Sequence, residues 1–260
     1  MKDLTVIVPL HEFNDEIEVL LNKAIQSFYE TDKDNDSELL FVAPKKVLGK
    51  LKEKYSKSER VNFVESTKSD FCSQINTAVD KCRKYFSILE FDDVYTPNWF
   101  KNVKEYFKMD ESISIYLPLT EIILFNKQDE GPIGYINEAP LATSFSENLG
   151  FLDLESLLNY TNFNTTGGIF KTEDFIELGK LKEPIKLSFW YEFLLRAVRN
   201  DKKVYVIPKV GYIHTLNREN SLSEIYNKTM KPEEAEFWID LAQKDYLFKK
   251  TRDISHYIYE

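Results

Sequence analysis

The stretch Ile88-Leu89-Glu90-Phe91-Asp92-Asp93-Val94-Tyr95-Thr96-Pro97-Asn98-Trp99-Phe100 decides how the rest of the chain is read. An apolar run that suits a buried strand stops at three acids within four residues. A turn with proline follows, then an aromatic helix start. Side chains at i and i+2 of a strand share a side, so Glu90 and Asp92 are expected to present two carboxylates together. Hard oxygen ligands at a strand's carboxyl end suit Mg²⁺ or Mn²⁺ carrying phosphate. Three acids alone more often make a solvated turn. The neighbours of the stretch therefore carry the decision.

Upstream, Leu4-Thr5-Val6-Ile7-Val8-Pro9-Leu10 is a continuous apolar, β-branched run and reads as a buried strand. Ile17, Leu20, Leu21, Ala24, Ile25 and Phe28 then recur at helical spacing. Glu38 to Val42 is a second strand, followed by a lysine-rich helix. Val61 to Val64 is a third strand. Phe71, Ile75, Ala78, Val79 and Cys82 mark a third helix. Tyr85 to Phe91 is the fourth strand, with the acids at its end. Thr96 is expected to cap the next helix, with Pro97 at its first position. Such β-α alternation predicts an α/β fold with a mostly parallel sheet flanked by helices. Ligands of such sheets gather beyond the strands' carboxyl ends.

Downstream the rhythm breaks. Ile113 to Phe125 is strand-like, with Pro118 at an edge or bulge. Asn126 to Tyr160 reads as a hairpin or lid. Gly167-Gly168 is either a plain tight turn or a place where backbone approaches a ligand. Ser188 to Asn200 is a helix and Val204 to Ile207 a strand. His214 follows, then a polar stretch and a C-terminal helix around Pro232 to Phe248.

The chain has 260 residues, 43% hydrophobic and 14% aromatic, enough for one substantial core. Its net charge of −9 argues against general nucleic-acid binding, which needs a basic surface. The lysines between Lys45 and Arg60 read as a solvated helix face. Cys72 and Cys82, if on one helix, lie about 15 Å apart, too far to bridge. No zinc signature accompanies them. The first strand starts almost at Met1, and neither a signal peptide nor a membrane-length apolar run is visible. A soluble, cytoplasmic protein without a membrane span is expected.

In this order the pieces resemble the GT-A glycosyltransferases, in particular the inverting family 2 type, over roughly residues 1–225. Thr5-Val6-Ile7-Val8-Pro9 resembles that family's first strand. Phe71 to Ala78 resembles its third helix, whose asparagine, here Asn76, sits near the nucleotide. Glu90-Phe91-Asp92-Asp93 resembles the DxD segment, with glutamate in the first acidic place. Gly167 to Lys171, through Phe175 and Gly179 to Arg196, resembles the acceptor-side half. The resemblance implies a GT-A domain over 1–225, with a nucleotide-sugar half at 1–112 and an acceptor half at 113–225. A C-terminal helical extension would occupy 226–260. It implies a nucleotide-sugar donor, in the first instance a UDP-sugar, and Mn²⁺ or Mg²⁺ bridging its diphosphate. Asp92 and His214 would hold the metal. Pro9, His11, Glu12, Asn76, Glu90 and Arg218 would surround the donor. Asp93 would support the acid loop within the catalytic group.

Two features depart from that pattern. The family's second strand usually ends in acids that grip the base, but here it ends Val42-Ala43-Pro44. Glu12, Asp15 or Glu65 would have to serve instead. The acidic pair that opens the family's acceptor-side helix is replaced by Phe189-Trp190. Glu192 is the nearest acid and the first choice as general base. Its competing reading is a surface ion pair with Arg196, four residues on. Asp174, Glu173 and Asp153 are weaker choices. A metal-dependent, inverting glycosyltransferase is the leading expectation. A catalytically silent GT-A domain that binds a sugar nucleotide or a partner is second. A nucleotidyltransferase is third, because Leu10 to Asp15 lacks a phosphate loop rich in glycine and basic residues. The acceptor is open between a saccharide, a protein and a modified DNA base. The last is admitted because Phe71 to Trp99 resembles phage-encoded transferases of this type.

Overall fold

The computed structural model describes residues 1–142, 148–219 and 221–246. Its elements are β1 (Leu4–Pro9), α1 (Asp15–Thr31), β2 (Glu38–Pro44), α2 (Lys45–Tyr55), β3 (Val61–Ser66), α3 (Phe71–Val79) and β4 (Tyr85–Ile88). Then follow β5 (Val94–Tyr95), α4 (Trp99–Phe107), β6 (Ile113–Leu124), β7 (Gly134–Ile136), α5 (Leu154–Asn159), β8 (Ile169–Lys171) and α6 (Thr172–Glu177). The chain closes through α7 (Phe189–Arg199), β9 (Lys203–Leu216), α8 (Leu222–Thr229) and α9 (Pro232–Tyr246). The expected 226–260 extension therefore lies outside the described residues from 247 onward.

One sheet runs β3-β2-β1-β4-β8-β6-β9-β5, with β7 paired to β6. β1 pairs parallel with both β2 and β4, and β2 pairs parallel with β3. β8 runs against β4 and β6. Two reversals restore the direction, so β6 and β9, mutually parallel, point the same way as β4. The carboxyl ends of β1, β4 and β9 thus share one edge. The mostly parallel α/β architecture is as the sequence predicts, with β5, β7 and β8 as the antiparallel strands.

Both faces of the sheet are covered, which is why its inner strands β1, β2 and β4 are mostly apolar, while edge strand β3 carries Asn62 and Glu65. Leu4, Val6 and Val8 join Leu21, Phe28, Leu51 and Trp99 in one buried cluster. Ile7, between them, joins Phe86, Ile75, Phe170 and Phe193 in the other. Alternation along one strand feeds two cores. Each fully buried Leu, Ile or Phe contributes about 1.5–3 kcal/mol. Helix α1 starts where the Asn14 side chain accepts the Ile17 N–H at 2.9 Å. Asp15, Glu16 and Glu18 in its first turn suit the positive end of its dipole. Asp70 caps α3 likewise, through the Ser73 N–H at 3.0 Å.

Several boundaries differ from the sequence reading, each for a local reason. β4 ends at Ile88, not Phe91, because Asp93 N–H turns back to the Glu90 carbonyl at 3.2 Å. The α4 helix starts at Trp99 without a side-chain cap. Thr96 spends its hydroxyl on the Val210 carbonyl at 2.8 Å instead. The last core strand runs to Leu216 and contains His214, which the sequence placed after it. Pro208 and Gly211 do not end it, because the β6–β9 register shifts after the Pro118–Ile207 pair. Pro118 therefore lies at an irregularity, as proline in a strand usually does.

Candidate functional site

The acid turn is clamped on both flanks. Before it, Leu89 N–H bonds to the Ile7 carbonyl at 2.9 Å. After it, Val94 and Tyr95 pair with Ile213 and Tyr212 of β9. That return brings Asp93 beside His214. One Asp93 oxygen meets His214 Nδ1 and the other accepts the Thr215 N–H, both at 2.8 Å. Tyr212 reaches over, and its phenol oxygen accepts the Glu90 N–H at 3.0 Å. The Tyr212 ring fits because Gly167 has no side chain. A Cβ there would lie 2.4 Å from the ring, and its φ of +75° is one that only glycine adopts readily. Gly211 serves Trp99 in the same way, at 2.3 Å. Trp99 Nε1 in turn donates to the Gly167 carbonyl at 2.7 Å. The glycine pair is thus explained by packing within the chain.

Asp92 points into a separate contact. Arg218 Nε donates to its Oδ2 at 2.7 Å, and the two side chains are 5% and 10% exposed. The guanidinium lies 4.7 Å from the centroid of the Phe91 ring. The sequence pairs Glu90 with Asp92, but the turn pairs Glu90 with Asp93. Among the described residues, Glu90, Asp93 and His214 each offer one ligand atom, all within 4.8 Å of one another. Alternation along a strand no longer applies once the strand has ended at Ile88.

The electrostatics follow from crowding. Burial, then the Asp93 charge, pushes the Glu90 carboxyl up to about 8. Burial and Asp93 also raise Asp92, against the opposing pull of Arg218. For His214, burial works to lower the value, but the charge and hydrogen bond of Asp93, with Glu90 and Asp92, carry it to about 9. His11, at the end of β1, sits 6.0 Å from the Phe91 ring and is lowered by burial. Glu12 lies 3.5 Å from it. Pro9 is buried in β1.

The remaining expected site residues lie elsewhere. Asn76 spends its whole side-chain amide on Leu181, donating to the carbonyl and accepting the N–H, both at 2.9 Å. Glu192 is buried at 2% exposure and forms an ion pair that is not on the surface. Arg196 holds both of its oxygens, at 3.0 and 2.8 Å. Lys182 and the Tyr246 hydroxyl each reach one of them at 2.8 Å. Burial works to raise its carboxyl, but these partners hold it below the usual glutamate value. None of them belongs to the acid turn. Asp153 caps α5 through Ser156 N–H at 2.7 Å. Asp174 pairs with Lys202 at 2.8 Å. With Glu173 it follows β8, at the sheet edge opposite the acids. Tyr212, Thr215 and Gly211 were not singled out as site residues, and Gly167 was marked only as a turn or a close approach of backbone to a ligand. Nothing in the local sequence shows their partners, because each acts through a residue more than forty positions away or on another strand.

A parallel half-sheet whose last strand, at the middle of the whole sheet, leads into an acid turn facing a histidine on a parallel far strand is the arrangement of the GT-A fold. The chain has the fold of TarS from S. aureus, a family 2-like glycosyltransferase of that class. The TarS 1-349 crystal structure superposes with a TM-score of 0.62 at 16% identity, covering 95% of this chain and 80% of that one. The TarS 1-349 complex with UDP-GlcNAc gives 0.64 at 17% identity, covering 99% and 76%. Against a longer TarS structure the TM-score is 0.60, and this chain spans 44% of that one. No family model matches the chain, and no curated protein matches it in sequence. No helix among the described residues is long and apolar enough to cross a membrane.

Proposed function

We propose that the chain is a glycosyltransferase that moves a sugar from a nucleotide sugar, first of all a UDP-sugar, to an acceptor hydroxyl. The observation that carries this reading is the convergence of Glu90, Asp92, Asp93, His214 and Arg218 at the carboxyl edge of a GT-A sheet. The existence of TarS complexes with UDP and UDP-GlcNAc supports the choice of donor. A divalent cation fits the donor set: hard oxygens and one imidazole, crowded enough to raise two of the carboxyls. Glu90, Asp93 and His214 offer the ligand atoms that would hold Mg²⁺ or Mn²⁺, and Asp92, one residue before Asp93, would join them. When bound, the ion would supply Lewis-acid stabilisation of the leaving diphosphate.

The protein's own residues divide the remaining work. Asp93 fixes the His214 ring through Nδ1, which reserves Nε2 for a ligand. Arg218 suits a diphosphate through charge-assisted hydrogen bonds. Pro9, His11 and Glu12 border the donor at the end of β1. An inverting transfer also needs a base within reach of the acceptor hydroxyl. Glu192, with both oxygens engaged and its carboxyl held low, suits a structural role better. Asp153 and Asp174 are likewise engaged, and Glu173 lies on the wrong edge. Phe189-Trp190 in place of the family's acidic pair therefore favours a second reading, a GT-A domain that binds the donor without turnover.

Melting curves with a panel of nucleotide sugars, with and without Mn²⁺, test the first step. A ligand at a hundred times its Kd adds about 2.7 kcal/mol, so a cognate donor raises the melting temperature visibly. Release of UDP in the presence of saccharide, protein or hydroxylated-DNA acceptors then separates transferase from silent binder. No stabilisation by any nucleotide sugar plus Mn²⁺ would overturn both readings.

A further inference from the structure

We infer that Arg218 is a stand-in for the cation: it holds Asp92 and is drawn away by the donor's diphosphate, so that cation and donor bind together. The inference rests on the nucleotide-sugar reading above. Arg218 makes a 2.7 Å ion pair with Asp92 in a nearly closed environment. It also lies against the Phe91 ring and donates from Nη1 to the Glu219 carbonyl at 3.2 Å. Asp93 already meets His214 with one oxygen and accepts the Thr215 N–H with the other. A divalent ion arriving alone therefore meets Glu90, the already engaged Asp93 and His214, but finds Asp92 held by a fixed positive charge. A guanidinium on Asp92 Oδ2 and a metal ion on the same carboxylate compete for its charge, and their own charges repel at this range.

A diphosphate changes the balance. It offers the planar guanidinium a richer set of acceptors than one carboxylate does. Once Arg218 has turned to it, Asp92 is free for the ion that the same diphosphate carries. Asn217, at φ +62°, sets the backbone turn into Arg218. Arg218 is thus a positioning residue for the cation and a contact for the donor.

Mn²⁺ binding to the full chain, read by the loss of free-ion EPR signal with and without UDP, tests this. Wild type should bind Mn²⁺ weakly alone and more tightly with UDP. Arg218→Met should bind Mn²⁺ alone at least about tenfold more tightly, since a like charge has been removed, while binding UDP less well. Adding Asp92→Asn in that background should abolish the gain. Arg218→Gln should show the same gain, and serves if Arg218→Met fails to fold by its melting curve. Unchanged or weaker Mn²⁺ binding in folded Arg218 variants overturns the inference, even where wild type still shows UDP-dependent Mn²⁺ binding and the donor reading survives. No UDP binding by wild type at any Mn²⁺ concentration overturns both.

Discussion

Two groups of buried carboxylates in this molecule look alike on paper and behave in opposite ways. Glu192 sits under α9 with Arg196, Lys182 and Tyr246 on its oxygens, and its carboxyl is held low. The acids at the end of β4 sit beside one another, and Glu90 and Asp92 are pushed up by burial and by Asp93. The first group is complete within the chain. The second has more negative groups than its two cations satisfy comfortably, which is the condition in which an acid cluster takes a ligand. Burial alone does not separate structure from function; the surplus of charge does.

The contrast is broken most directly at Glu192. Glu192→Ala leaves Arg196 buried without its partner and should cost about 3–5 kcal/mol. In a chain this long that is a fall of roughly 6–20 °C in melting temperature. The transfer rate of the fraction still folded should hardly change. A loss of rate without a loss of stability would return Glu192 to the role of base.

Asp92→Asn is the complementary test. It should lower kcat/KM by about 10²–10³-fold, the scale of losing one electrostatic stabiliser of a developing charge. It should also remove the rise in melting temperature given by Mn²⁺ plus UDP. A full response in the variant would take Asp92 out of the cation site.

Gly167→Ala should cost about 1–3 kcal/mol by overpacking against Tyr212, measured by denaturant unfolding. Donor affinity should fall with it, because Tyr212 supports the Glu90 amide. The smallest effect is one of pH. The Glu192 carboxyl is depressed in the folded state, so its contribution is present above the usual glutamate value and is lost as pH falls through the folded one. The gap in melting temperature between wild type and Glu192→Gln should therefore be constant near neutrality and narrow below about pH 4. A gap that widens on acidification would reverse the assignment.

The first half of the fold was legible because its strands are continuous apolar runs punctuated by proline and acids. Thr5 to Pro9 and Glu38 to Val42 needed no partner to be recognised. The far strand was read too short, since Pro208 and Gly211 look like terminators. Only the shifted register against β6, and the Trp99 ring over Gly211, show why they are tolerated. Asp92, Asp93, His214 and Arg218 were all named from sequence, but their pairing was not. Contacts such as Arg218 to Asp92 cross more than a hundred residues, and periodicity carries no information at that range. Glu192 was put forward as the base, with a surface pair to Arg196 as the alternative, because nothing in its helix reveals that α9 covers it. Asn76 was named as a donor contact from its helix alone, which carries no sign that its amide brackets Leu181.

Tyr212 works like a bolt through two plates. Its ring is seated on the Gly167 loop of the later half of the chain, and its hydroxyl is fastened to the Glu90 amide of the earlier half. Slack in the loop is therefore felt at the acids. Changes near residues 164–168 that look remote from any nucleotide should loosen its grip all the same, and variants selected there for a new acceptor will tend to carry an altered taste for the donor.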